Sequence, residues 1–182
     1  MFRWITCWAA RTGGIWPPEM DRPARKPNRL TGYDYRQPGC YFVTICTKGK
    51  QHILGRSVGG DVLIAPQIAL SDLGKLVDDV LAHMPSVDKY VVMPNHVHIL
   101  FRIPAGGPVR TPAPTQNGQT SLPALVRYFK RSVTRRFGQS VWQRGYHDHI
   151  IRGDADHLRV WEYMDTNPAK WREDRYFTET EE

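Results

Sequence analysis

Two histidines one residue apart, His96 and His98, are the side chains best suited to chemistry in this 182-residue chain. They lie in residues 89–103, which read as two apolar strands around a Pro94-Asn95 turn. Side chains along a strand alternate between faces, so both imidazoles share one face and Val97 takes the other. Histidine is the commonest metal ligand, and a sheet holds two rings at a fixed spacing. A surface pair with no chemical role has the same pattern, and the motif alone does not choose between the two readings.

A metal on two imidazoles needs further ligands, and the segment Glu162-Tyr163-Met164-Asp165-Thr166-Asn167 offers them. In a helix, Tyr163 and Asn167 stand at i and i+4 and share a face. The Asn167 amide oxygen would be a third, hard ligand, leaving positions for phosphate oxygens and water. Two nitrogens with oxygens favour Mg²⁺ or Mn²⁺ over a structural zinc, which would recruit cysteines. Tyr163 would then be a nucleophile one turn from the metal, although a phenol is mostly protonated near neutral pH and needs the ion or a nearby base. The same spacing also fits an interfacial aromatic and an asparagine favoured at a helix end before Pro168.

The elements that must position these residues follow from the hydrophobic pattern. Residues 40–47, rich in β-branched and aromatic side chains, read as a buried first strand. Residues 52–65, with Gly59-Gly60 between short apolar runs, read as an appended hairpin. From 66 to 84, Ile68, Leu73, Leu76, Val77, Val80, Leu81 and Met84 keep helical spacing, with Ser71 and Asp72 early and Pro85 as the stop. Residues 104–120 hold four prolines and three glycines and read as a loop. Leu122, Leu125, Val126, Phe129, Val133 and Phe137 mark a second helix, residues 141–151 a further strand, and residues 154–167 a last helix with Asp154 as its N-cap. The first six elements give the order βαββαβ, which predicts an α+β, ferredoxin-like sandwich: a four-stranded antiparallel sheet with an added C-terminal helix carrying the tyrosine. The first and third strands are central in that topology, so the histidines sit mid-sheet.

A hydrophobic fraction of 41% and a charged fraction of 24% are those of a soluble globular protein, and no apolar run approaches the roughly 20 residues of a membrane span. Residues 1–10 resemble a signal peptide but are interrupted by Arg3, and read as a non-cleaved extension. Cys7, Cys40 and Cys46 lack zinc spacing and read as reduced thiols of a cytoplasmic protein. The expected organisation is an extended basic, proline-rich lead-in over 1–29, one domain over 30–175 and an acidic tail over 176–182. The net charge of +7 favours a polyanion. Arg127, Lys130, Arg131, Arg135 and Arg136 crowd the second helix with no acid among residues 122–138, which predicts contact with phosphates.

Three separated motifs resemble one family: Pro94-Asn95-His96-Val97-His98, residues 142–152 with the pattern Tyr146-x-x-His149-x-x-Arg152, and residues 162–171 from Glu162 to Trp171. In this order, and within a similarity running from about residue 29 to 171, they resemble the REP-associated tyrosine transposases, single-tyrosine members of the HUH group. The resemblance implies an enzyme that cuts and rejoins single-stranded DNA beside a hairpin through a 5′-phosphotyrosine, using a divalent metal and no organic cofactor. Carried onto this chain, it makes His96 and His98 metal ligands, Tyr163 the nucleophile in preference to Tyr146, and Asn167 the third ligand where many relatives have glutamine. His149 and Arg152 would contact DNA or brace the site, and Tyr33, Tyr35 and Trp142 would stack on unpaired bases. It implies a nucleoid-associated protein, as monomer or homodimer with the tyrosine helix in cis or in trans. A hairpin-binding module without turnover and a metal-dependent nuclease using water are the alternative readings.

Overall fold

The computed structural model describes residues 30–59, 66–105 and 120–179. The lead-in, the hairpin tip, most of the 104–120 loop and residues 180–182 lie outside them. In chain order the elements are β1 (Gly39–Cys46), β2 (Gly55–Val58), β3 (Gln67–Leu70), α1 (Asp72–Ala82), β4 (Val87–Val92), β5 (His96–Ile103), α2 (Leu122–Phe137), β6 (His147–Ile150) and α3 (Asp154–Thr166).

The alternation of β1 and β5 builds the core. Tyr41, Val43 and Ile45 point to one face, opposite Phe101, Ile99 and Val97 in antiparallel register, and all six are fully buried. Onto this face pack Leu73, Val77, Val80 and Leu81 of α1 and Leu122, Leu125, Val126, Phe129 and Val133 of α2. Each fully buried large aliphatic or aromatic side chain contributes on the order of 1.5–3 kcal/mol. The sheet order is β4-β5-β1-β6, with neighbours antiparallel. The fold is the expected ferredoxin-like sandwich, with β1 and β5 central. The other face carries Phe42 and Leu100, and there α3 packs through Val160 and Met164.

Three local expectations need correction. The 66–84 segment is not helical throughout: residues 67–70 pair with 55–58 as β3, and Ile68 belongs to that strand. The helix starts at Asp72 because Ser71 caps it, its hydroxyl accepting from the Gly74 N–H and donating to the Ile53 carbonyl. Gly74 permits this docking, since a side-chain carbon there would collide with the Leu54 carbonyl. Of residues 141–151 only 147–150 form a regular strand on β1, after Gly145 turns the chain at φ 89°; before it Trp142 makes an isolated antiparallel bridge to Thr47. Gly153, not Asp154, holds the N-cap position of α3, and the Asp156 carboxylate takes the Arg152 N–H instead. Among the described residues no helix is long and apolar enough to cross a membrane.

Candidate active site

The site is built on the face of the sheet that α1 and α2 leave uncovered. His96 and His98, at the start of β5, turn their Nε2 atoms toward each other, 2.9 Å apart, and neither ring is exposed. Each ring is held from behind. His96 Nδ1 lies 2.8 Å from Asn95 Oδ1, and His98 Nδ1 lies 2.8 Å from Thr44 Oγ1, on the residue paired with His98 across the β1–β5 ladder. Phe42 stacks on His98. Engaging each Nδ1 in this way orients both Nε2 atoms toward one point, as metal-binding histidines require.

Helix α3 delivers the other groups from above. It packs by Val160 and Met164, and Lys89 of β4 pins it through an ion pair with Asp165 and a cation–π contact with Trp161. Tyr163 brings its hydroxyl to 3.2 Å from His98 Nε2, within its own chain, and is the member of the site most open to solvent. Asn167, one turn on, is buried.

Beyond Pro168 the chain folds back, and a short 3₁₀ turn, Trp171–Glu173, brings in Asp174. The Asp174 carboxylate accepts from the Tyr163 hydroxyl at 2.9 Å, from Asn167 Nδ2 at 2.6 Å and from the Tyr176 N–H at 2.6 Å. One ligand atom each from His96, His98 and Asp174 lies within 4.8 Å of the others. Sequence reasoning missed Asp174 because Pro168 ends the helical spacing that points to Tyr163 and Asn167. The signal that could have found it is Trp171 and Tyr176, aromatics flanking an acid in a segment otherwise polar. Both are buried against His96, and the Tyr176 carbonyl accepts from Asn95 Nδ2 at 2.9 Å.

The electrostatics follow from burial. It holds both imidazoles below the usual histidine range, with the proximity of His98 adding for His96 and the nearby Asp174 carboxylate opposing for His98. It pushes the Tyr163 phenol up, and the Asp174 charge adds to that. For Asp174 burial works against the charge, but the neighbouring His98 ring and hydrogen bonds from Asn167 and the Tyr176 backbone outweigh it and keep the carboxyl well below the ordinary range.

The other sequence-predicted residues separate. Tyr146 is buried in the main core on the far face, away from the histidines. Tyr35 and Trp142 are buried there too, Tyr35 donating to Asp148 at 2.6 Å and Trp142 packing on Phe129, so neither is open for stacking on bases. Arg127, Arg131 and Arg135 line a groove of about 980 Å³ with Lys48 and Arg144. Lys130 lines the same groove, but its ammonium is engaged by the fold: it donates to the Gln143 and Gly145 carbonyls, and burial lowers its pKa to about 8. Arg136 pairs with Asp79 of α1. His149 hydrogen-bonds Asp156 at 2.9 Å, bracing the start of α3.

The comparisons with known proteins agree with this architecture. A Haemophilus influenzae chain named "Uncharacterized protein" is 34% identical over 175 residues, covering 85% of this chain and 94% of its own. A second chain of that organism, provisionally assigned as a REP-associated tyrosine transposase, is 27% identical over 82 residues, 43% of this chain and 47% of its own. A solved REP-associated tyrosine transposase, bound to a REP hairpin, shares the fold at a TM-score of 0.52 and 20% identity, over 79% of this chain and 73% of that one. The family model "Transposase IS200 like" matches residues 69–167, more than half the chain and the whole stretch from the histidine pair to Asn167. By that match the chain belongs to the IS200-like transposases.

Proposed function

We propose that this chain nicks and rejoins single-stranded DNA beside a hairpin by attack of Tyr163 on a backbone phosphate. The observation that carries the reading is the meeting of three side chains from two elements, β5 and α3: the Tyr163 hydroxyl lies 3.2 Å from the Nε2 of His98, which itself faces His96 Nε2 at 2.9 Å. The groups present fit a divalent ion. His96 and His98 are the nitrogen donors, and an oxygen donor is available from Asp174 or from Asn167, whose buried Oδ1 has no hydrogen-bond partner. Mg²⁺ or Mn²⁺ bound there would polarise the scissile phosphate and offset the charge that develops on it.

The protein's own groups supply the rest. Tyr163 Oη forms a bond to phosphorus as the bond from phosphorus to the 3′ oxygen breaks. The phenolic proton has an acceptor in Asp174, 2.9 Å away, and the departing oxygen takes up a proton to become a 3′-hydroxyl. One phosphate ester replaces another, so no water is consumed and a second 3′-hydroxyl can reverse the step. The groove lined by Arg127, Arg131, Arg135 and Arg144 suits a phosphate backbone. Lys48 of that groove lies two residues beyond Cys46, the partner of His96 across the ladder, so groove and histidines share one end of the sheet. The hairpin partner is suggested by the solved fold neighbour, which is bound to one.

The test is incubation of the full chain with labelled single-stranded hairpin DNA and Mg²⁺ or Mn²⁺, followed by denaturing electrophoresis. A covalent protein–DNA adduct that disappears in Tyr163→Phe is the expected result. An adduct that survives in Tyr163→Phe would overturn the assignment. Cleavage to free 5′-phosphate with no adduct would indicate water as nucleophile, and binding without cleavage a hairpin-binding module.

A further inference from the structure

We propose that Asp174 is the third protein ligand of the metal site, and that Asn167 positions Asp174 rather than ligating. This rests on the reading that His96 and His98 hold a divalent ion. The Asp174 side chain has no solvent exposure. A carboxylate buried to that degree is costly unless a positive charge or several hydrogen bonds compensate it. Among the described residues no lysine or arginine lies within ion-pair distance of Asp174; its donors are the Asn167 amide, the Tyr163 hydroxyl and the Tyr176 N–H, with His98 Nε2 at 3.8 Å.

A second cluster of potential ligands among the described residues makes the contrast. Cys40, Asp88 and His157 also bring ligand atoms within 4.8 Å of one another, but there Asp88 is neutralised by Arg102. Asp174 keeps its charge available, and it faces two ring nitrogens. Two neutral imidazoles are a weak site for a hard divalent ion, whereas adding one carboxylate supplies both the anion and the oxygen such ions prefer.

Asn167 is placed for the supporting role. Its Nδ2 must be the atom facing Asp174, since an amide oxygen there would meet a carboxylate oxygen with no proton between them, and the amide then turns its own Oδ1 away from Asp174. The same Asp174 Oδ2 accepts from Tyr163. One carboxylate oxygen therefore orients the nucleophile while lying next to the histidine pair, coupling the tyrosine's position to the site that would hold the phosphate.

The experiment is Mn²⁺ titration of the full chain by electron paramagnetic resonance, without DNA, on wild type, His98→Ala, Asp174→Asn and Asn167→Ala. Loss of a ligand in His98→Ala and in Asp174→Asn should each weaken binding about a hundredfold or more, and loss of a supporting hydrogen bond in Asn167→Ala about tenfold. Asp174→Cys provides an independent reading: with Co²⁺ it should show a thiolate charge-transfer absorption above the wild-type baseline, and Asn167→Cys should not. Wild-type Mn²⁺ affinity in Asp174→Asn, or a larger loss in Asn167→Ala than in Asp174→Asn, overturns the proposal. If instead His98→Ala binds Mn²⁺ as wild type does, the histidine pair is not a metal site and the underlying reading fails, a result distinct from either.

Discussion

Strand β5 buries both of its faces, and the two do opposite things with the same burial. Val97, Ile99 and Phe101 meet α1 and α2 in an apolar layer, so removing them from water stabilises the fold. His96 and His98 are as deeply buried on the other face, where their rings lose hydration and are compensated by Asn95, Thr44 and Asp174. That second layer keeps two nitrogens turned to one point. The period-two alternation of a strand is what lets adjacent residues serve these separate ends.

The sharpest way to break the comparison is to truncate neighbours. Ile99→Ala should cost about 2–5 kcal/mol, the usual range for a large aliphatic cut back in a packed core, and be seen as a lower denaturant midpoint. His98→Ala should abolish DNA cleavage and leave the melting temperature within a few degrees of wild type. If His98→Ala unfolds the protein as severely as Ile99→Ala, the histidine face is structural.

A smaller effect separates the cations of α2. Arg131 and Arg135 face the groove, so the double change Arg131→Ala/Arg135→Ala should weaken single-strand DNA binding by about tenfold. It should also lower the salt dependence by about 0.7 for each phosphate that is no longer neutralised. Lys130→Met should do the reverse, leaving the salt slope close to wild type while costing about 1–3 kcal/mol of stability, because the Gln143 and Gly145 carbonyls lose their donor. A salt slope lowered by Lys130→Met alone would place that ammonium on DNA after all.

Lys130 also shows where the sequence stops being informative. Helical spacing identifies α2 and its basic face, and strand alternation puts His96 and His98 side by side, because both are local periodicities. Which cation turns outward is a matter of what lies across from it: Gln143 and Gly145 for Lys130, Asp79 for Arg136. Asp174 is hidden for the same reason. Its carboxylate reaches Tyr163 only because the chain reverses after Pro168, and no periodic pattern encodes a reversal. The 67–70 segment reads as helix because four residues beside a genuine helix keep its apolar spacing by chance, while their strand partners lie in a separate short run.

The gentlest test concerns the support of α3, far from the apolar layer. Asp156 accepts from the Arg152 N–H, from His149 and from Arg159, and these hold its carboxyl at about 2 against an ordinary value of about 3.9. A carboxyl lowered in the folded state binds fewer protons there than in the unfolded chain, so its contribution is complete above the unfolded value and is lost as pH falls through the folded one. Asp156→Asn should therefore lower the melting temperature by a few degrees at neutral pH, and the gap to wild type should narrow as pH drops below about 4 and close near 2. A gap independent of pH would mean that the Asp156 charge contributes nothing, and that any loss in Asp156→Asn comes from altered hydrogen bonding alone. Because α3 carries Tyr163, the same variant should cleave with unchanged metal dependence but more slowly, through a nucleophile held less firmly.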